Sequence, residues 1–395
     1  MTLPAMTFRI AFASAPMAAT PTWTTLPGIE IMECNIKRGR QYQLDRMEAG
    51  SASLILNNAS GKYWPDNSAG PYYGNIKPGK RVNIRATYGA VTYDLFTGFV
   101  DHWTPSFESR GGKAPIVTVQ CLDLLNNMAR NLLNNAGDAQ ELSGTRIGNV
   151  LDEIGWPAAD RALDAGQTTV IATGAQANIN PLSHLFTVQE SEFGILFIRG
   201  DGYVVFQDRH ARLKGSYIAS QATFGDDPTE QTYVDLVPDM DAKSILNDVR
   251  ITRSGGVEQT ASDATSQSDY GKRSLARSGL LMISDAEADS QADYILSLYK
   301  DAALRVKAIS IRPQGDPGNL WPKVLGYDIS TRITLVLSPA GISKDYHIEG
   351  ISHRASAPEG TWETRWELSD ATSQVYWTVD WLPGSLLGSG TRVAY

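Results

Sequence analysis

The sequence predicts a β-rich α+β fold. Two related β-modules flank an inserted helix-plus-hairpin domain, and the second module carries a further helical insertion. Three observations lead there. Short β-rich runs punctuated by Gly, Pro, Asn and Asp fill 29–121 and resume after 239. Between them, from 122, the apolar period changes from that of strands to that of helices. The turns and strand ends of the two β regions also follow one order.

In the first β region, "IEIMECNIK", "SASLILNN", "RVNIRATY", "VTYDLFTGFVDHW" and "IVTVQC" read as strands of a sandwich or small barrel. The turn-rich excursion 58–80 lies among them. Before it, Phe8, Ile10 and Phe12 alternate, which suits a short strand or a peripheral arm over 1–28. This start lacks the charged region of a signal peptide, and Arg9 interrupts its apolar stretch.

The inserted domain, 122–238, opens on "CLDLLNNMARNLLNN", where Leu122, Leu125, Met128, Leu132 and Leu133 share a helical face. A second helix over "SGTRIGNVLDEIGW" presents Ile147, Val150, Leu151 and Ile154, and stops at Gly155 and Pro157. A third starts with Pro181 at an early position and buries Leu182, Leu185 and Phe186. "ILFIR" and "YVVFQDR" then form a hairpin. Asp201-Gly202 predicts a type I′ turn that sets Arg199 opposite Val204 and Phe197 opposite Phe206. The tripeptide Arg199-Gly200-Asp201 is on this reading a hairpin end, not an adhesion ligand.

The second β region, 239–370, starts with "SILNDVRITRSGG" and passes through a Ser/Asp/Gln-rich loop, 262–268. Ser284 and Glu287 have capping-box spacing before a helix over 284–300 lined by Ala288, Ala292, Ile295 and Tyr299. "LRVKAISIRP", "YDISTRITLVL", "DYHIEGISHRA" and "TWETRWELS" complete the strands. Matching the two regions pairs Gly79 with Gly326, Gly98 with Gly350 and Asp123 with Asp370. A tail, 371–395, follows.

Net charge is −8 and Lys and Arg are scattered, which excludes a general grip on nucleic-acid phosphates. No apolar run approaches the ~18 residues of a membrane span. Cys34 and Cys121 are expected as buried free thiols.

"SLILNNASGKYWPDN", "IKPGKRVNI", "LFTGFVD", "GDGYVVFQDR" and "LNDVRITRSGG", in this order, resemble segments of the tail-hub (baseplate hub, or minor tail) proteins of tailed bacteriophages. The resemblance spans about 29–370 and carries no catalytic signature. It implies two tube-forming β-barrel domains per chain and a homotrimeric, pseudo-sixfold ring at the tip of the tail. Its partners would be a tail-tube or distal tail protein and tail-tip or fibre proteins, with DNA passing unbound through the lumen. It also implies assembly in the host cytoplasm before incorporation into the virion.

Chemistry is sparse. His102, His184, His210, His347 and His353 form no paired ligand motif, and no nucleophile elbow, P-loop or dinucleotide fingerprint occurs. The acidic run Asp226–Glu230 lacks the alternating ligands of a calcium loop and reads as a solvated turn. Glu190 and Glu192 read as an exposed helix end. No catalytic, cofactor or metal residues are therefore assigned. A rival adhesin reading rests on the aromatic loop "GKYWPDNSAGPYYGN", and a peptidoglycan hydrolase would need an acid cluster that the sequence does not display. Trp362, Thr364, Trp366 and Leu368 share one strand face and suit a core. Trp377 and Trp381 are candidate subunit-contact anchors, with packing on their own domain as the alternative.

Overall fold

The computed structural model describes residues 3–107, 115–240 and 244–371, with the backbone of Tyr376–Trp377 and Arg392–Val393 beyond them. Large antiparallel pairings dominate. The N-terminal strands are β1 (Ala5–Ile10), β2 (Thr24–Leu26), β3 (Ile31–Gly39), β4 (Glu48–Asn57), β5 (Arg81–Tyr88), β6 (Val91–Ser106) and β7 (Ile116–Leu122). β1 pairs along its whole length with β5, so the alternation of Phe8 and Ile10 is used inside the sheet, where both are buried.

The insertion begins with α1 (Leu124–Met128), β8 (Leu133–Asn135), β9 (Glu141–Leu142), α2 (Ser143–Glu153), β10 (Arg161–Leu163), β11 (Thr169–Val170) and β12 (Gln176–Ile179). It continues with α3 (Pro181–Glu192) and the hairpin β13 (Ile195–Ile198) and β14 (Val204–Gln207). The first expected helix is thus a single turn. Asp123 caps it by accepting from the Leu125 N–H, but Leu133 is taken by β8, which pairs with β12, and Leu132 is exposed. α2 and α3 follow the expected faces, with Ile147, Val150, Leu151, Leu185 and Phe186 buried.

The hairpin register differs by one residue from expectation: Ile198 faces Val204 and Phe197 faces Val205. Its loop has three residues. The Gly202 N–H donates to the Arg199 carbonyl, the Arg199 N–H donates to the Tyr203 carbonyl, and only Gly202 has positive φ. A type I turn closed by one left-handed glycine needs one such residue, where type I′ needs two.

After β15 (Thr223–Phe224) and β16 (Asp235–Asp239), a small unit packs β17 (Asp248–Arg253), β18 (Gln259–Ser262) and β19 (Ser274–Leu280) under α5 (Asp285–Tyr299). The Ser284 hydroxyl caps α5 at the Glu287 N–H as the spacing predicts. The expected loop at 262–268 is instead the end of β18 and α4 (Ala264–Tyr270), capped by Asp263 at the Ser266 N–H. β20 (Arg305–Ile311), β21 (Arg332–Leu337), β22 (Ile342–Ser356) and β23 (Thr361–Asp370) complete the sheet. α6 (Pro317–Gly326) was not expected, and Pro322 lies inside it. It forms because Leu320, Trp321, Val324 and Leu325 reach the core.

The main sheet has 13 strands, and its longest path runs β16-β20-β23-β22-β3-β4-β7-β6-β5-β1-β2, with β21 on β22. One strand order occurs twice: β3-β4-β7-β6-β5 and β16-β20-β23-β22-β21. The bonds at the strand entry also recur. The Gly79 N–H donates to the Val100 carbonyl at 2.7 Å and the Val100 N–H to Lys80 at 2.9 Å. In the second set the Ser330 N–H donates to Ile348 at 2.8 Å and the Ile348 N–H to Thr331 at 3.0 Å. Gly79 has φ +79° and Ser330 φ +73°. Bulges follow at Asp101 and Glu349.

Superposed on these bonds, Asp123 matches Asp370, as expected. Gly79 matches Ser330 rather than Gly326, and Gly98 matches Tyr346 rather than Gly350. The glycines answer different neighbours. A Cβ on Gly98 would lie 2.4 Å from the Leu122 carbonyl oxygen, and one on Gly350 would lie 2.7 Å from that of Arg40. Gly326 ends α6.

Gly79 isolates the backbone requirement, since a Cβ there meets nothing within 4 Å. Gly79→Ala should destabilise by about 1 kcal/mol through its positive φ alone. A lowered urea midpoint at unchanged slope is the expected result.

Candidate functional site

Strand alternation divides the sheet into two faces. Ala52, Leu54 and Leu56 of β4 and Trp362, Trp366 and Leu368 of β23 turn into the core. Trp362 meets Trp321 edge-on, and Trp366 meets Phe224 likewise. The opposite face carries small polar and charged side chains. Asn35, Ser51, Ser53, Gln120, Ser352 and Arg365 border a shallow groove of about 330 Å³ running across both halves of the sheet. Three cations on or near this face stand beside anions: Lys37 and Glu48 at 2.7 Å, Arg365 and Glu367 at 2.8 Å, Arg312 and Glu363 at 2.9 Å; Arg354, which also borders the groove, is exposed. Such exposed pairs add little stability.

Behind the seam between β3 and β22 lies a buried ionic clamp. The bulge at Glu349 directs its carboxylate to the Arg40 Nε at 2.8 Å, to Arg212 and to the Ser369 hydroxyl at 2.5 Å. Burial alone would raise this carboxyl, but the Arg212 and Arg40 guanidinium groups hold it far below the usual carboxylate range. Arg212 also donates to Ser330, which in turn donates to Gln207 of β14. Nearby, Arg38 meets Asp328 at 2.9 Å and the Ile198 carbonyl at 3.3 Å. The inserted hairpin is thereby fastened to both halves of the sheet. A Glu within the apolar run "YHIEGISH" was the only sequence sign of this clamp.

In the tripeptide at the hairpin the glycine is packed and the two charged side chains are part-exposed. Arg199 and Asp201 pair with each other, and a Cβ on Gly200 would lie 2.2 Å from the Asp94 carbonyl oxygen of β6. In the aromatic loop, Tyr63 is fully buried and stacks on Tyr72, which stacks on Phe12, while Tyr73 is exposed. Two of the loop's aromatic faces are therefore occupied internally.

The histidines are dispersed. His102 is exposed beside Asp101 at 2.6 Å, and His184 lies 3.9 Å from Asp138. His347 bonds the Ser330 carbonyl, and His353 bonds the Thr364 hydroxyl. The bulge between Ile348 and Gly350 puts these last two on opposite faces. Among the described residues no group of three His, Cys, Asp or Glu is placed to hold a metal. In the acidic turn, Asp226 accepts from Ser338, Asp227 from Thr229, and Glu230 from the Asp227 N–H. Glu192 is not the exposed helix end expected. It is fully buried, accepting from the Ser143 hydroxyl and the Thr168 N–H at 2.7 Å each and pairing with Arg209. Glu190 pairs with Arg46. Cys34 and Cys121 are buried free thiols. The side chains of Trp377 and Trp381 lie outside the described residues.

No family model matches this chain, and no curated protein matches it. Solved structures do. It is similar to a tail protein from Neisseria meningitidis MC58, with TM-score 0.62, 12% identity and coverage of 99% of this chain and 100% of that one. The 43 kDa tail protein of prophage MuSo2 from Shewanella oneidensis gives 0.59 at 11% identity over 93% and 97%. Prophage tail protein gp18 from Listeria monocytogenes EGD-e gives 0.51 at 11% identity over 93% and 95%. The fold is that of phage tail proteins.

Burial holds His347 and His353 neutral, with pKa lowered to about 3. Below their ordinary value of 6.5 the unfolded chain takes up protons that the folded chain refuses. Stability is therefore complete above pH 6.5 and falls toward pH 3, by about 1.4 kcal/mol per pH unit per histidine. Urea midpoints at pH 7.5, 5.5 and 4.5 should show this fall, and His353→Asn should make it shallower; an unchanged midpoint across the window refutes it.

Asp201→Asn should cost less than about 1 kcal/mol, since it removes only a part-exposed pair and keeps a turn-compatible side chain. Gly200→Ala should cost more through its clash with β6. Thermal unfolding of both variants checks the order.

Proposed function

We propose that this chain is a structural, non-enzymatic hub subunit at the tip of a phage tail. Its modules, 29–121 and 239–370, act as two tube-forming β-barrels, and three chains close a pseudo-sixfold ring around a bore. The ring joins a tail-tube or distal tail protein on one side to tip or fibre proteins on the other. It needs no cofactor or metal. The observation that carries this reading is the doubled strand order with its recurring bonds at Gly79 and Ser330. One chain thus supplies two near-equivalent units, and a heterologous contact repeated around an axis closes into a finite ring.

The polar face, most of whose cations are paired with carboxylates, suits the wall of such a bore. Passing DNA is held where Lys and Arg concentrate, because phosphate binding releases counterions. Here Lys37, Arg312 and Arg365 stand beside carboxylates and the chain carries a net charge of −8. Trp377 and Trp381 are assigned to contacts with neighbouring subunits.

Sedimentation of the purified protein, with electron microscopy of negatively stained particles, tests the assembly. Three copies per ring with six similar lobes are expected. Six copies per ring, or a monomer at every concentration, overturn the reading.

A further inference from the structure

We propose that the cavity between loop 40–47, the insertion and the small unit under α5 binds one small oxyanion, of the phosphate or sulfate class. The site belongs to the single chain and stands apart from the ring reading.

The cavity has a volume of about 50 Å³. That is room for a few water molecules or for the four oxygens of a tetrahedral anion, and too little for a sugar or a nucleotide. Three units of the fold meet on it. Arg40 and Asp45 come from the exit of β3, Glu190 from the end of α3, Asp208 and Arg212 from the segment after β14, and Arg277 from β19.

Three guanidinium groups on its wall keep an N–H without an acceptor. Arg40, whose side chain is 4% exposed, donates from Nε to Glu349 at 2.8 Å and from Nη1 to the Asp45 carbonyl at 3.0 Å. Its Nη2 makes no hydrogen bond among the described residues. Arg212 donates from Nε to Ser330 and from Nη1 to Glu349, and its buried Nη2 has no partner. Arg277 donates once, from Nη2 to the Leu44 carbonyl at 3.2 Å, and pairs with no carboxylate among the described residues. A buried donor without an acceptor is costly, and a guanidinium cannot escape by losing its proton. Planar forks of this kind fit two oxygens of one anion.

The charges on the wall point the same way. Glu349 serves both Arg40 and Arg212, and Glu190 is taken by Arg46 at 2.6 Å. Arg209 is held by Glu192 and Glu287. Asp208 accepts from Gln167 at 2.7 Å, from the His210 N–H at 3.0 Å and from Lys214 at 3.4 Å. Arg277 is left among like charges. Burial draws its pKa down, Glu190 opposes the fall, and Arg40 and Arg46 add to it. An anion set among these groups relieves their repulsion. Asp45 works against it: the residue is exposed, borders the cavity, and its carboxylate makes no hydrogen bond or ion pair among the described residues. It is therefore a second handle on the site, one that the fold does not need.

The probe is inorganic phosphate, titrated by calorimetry into the purified full chain at an ionic strength held constant with chloride, with the thermal midpoint followed in parallel. One phosphate per chain and a midpoint rise that saturates are expected, with sulfate competing. Arg277→Gln should weaken binding by about tenfold or more. Asp45→Asn should tighten it by about two- to fivefold. Should Arg277→Gln fail to fold, Arg277→Lys, which keeps the charge and loses the fork, takes its place and should weaken binding less. A midpoint that climbs with phosphate without saturating, equally in the wild type and the variants, is the general effect of such salts and overturns the site. Saturable binding that no variant alters overturns it too, as does an absence of binding heat with an unmoved midpoint. A protein that binds phosphate yet stays monomeric refutes the ring and leaves this site standing.

Discussion

A buried carboxylate, Glu349, holds the two halves of the sheet and the inserted domain in one arrangement. Its bonds reach Arg40 at the exit of β3, Arg212 after the hairpin, and Ser369 on β23. Removing either arginine would leave a charge without its partner in a dry site, a loss of about 3–5 kcal/mol. Well-packed apolar residues stabilise such a site as well. What the ions add is direction, since two guanidinium forks and one carboxylate fit in few orientations. The bulge that aims Glu349 recurs in β6 at Asp101, which instead pairs with Arg130 and His102 at the surface. The same backbone device is a surface feature in one module and a fastening in the other.

This contrast explains which parts of the molecule were legible in the sequence. Strands whose two faces meet different surroundings declare themselves by alternation, as Trp362, Thr364, Trp366 and Leu368 do. Helices with a cap and one apolar stripe are equally plain: α2, α3 and α5 stand where expected. Elements decided by distant contacts were hidden. α6 exists because its apolar face enters a core shared with β23, despite the proline inside it. The first helix stops early because Leu133 is drawn into a strand pair with residues more than forty positions on.

The repeat was visible as an order of motifs, yet two of its three residue matches were displaced. Glycines are poor landmarks of the repeat, because the repeating quantity is a set of backbone bonds. Those bonds tolerate serine at a positive φ when its hydroxyl is held, as that of Ser330 is by Arg212 and Gln207. The clamp was illegible for a simpler reason. Arg40 and Glu349 are 309 positions apart, and the inserted Arg212 is 137 from Glu349.

That separation also orders how the chain reaches its native state. The three-helix insertion and the small unit under α5 close over short loops, and their contacts are local enough to form early. The seam of β3 against β22 is different. Its strands are made at opposite ends of the chain, so it waits for the last module, and until then both strands present bare edges. The second module must therefore reach β3 before another molecule does, a race in which dilution and rapid folding of the intervening units favour the monomer's own partner.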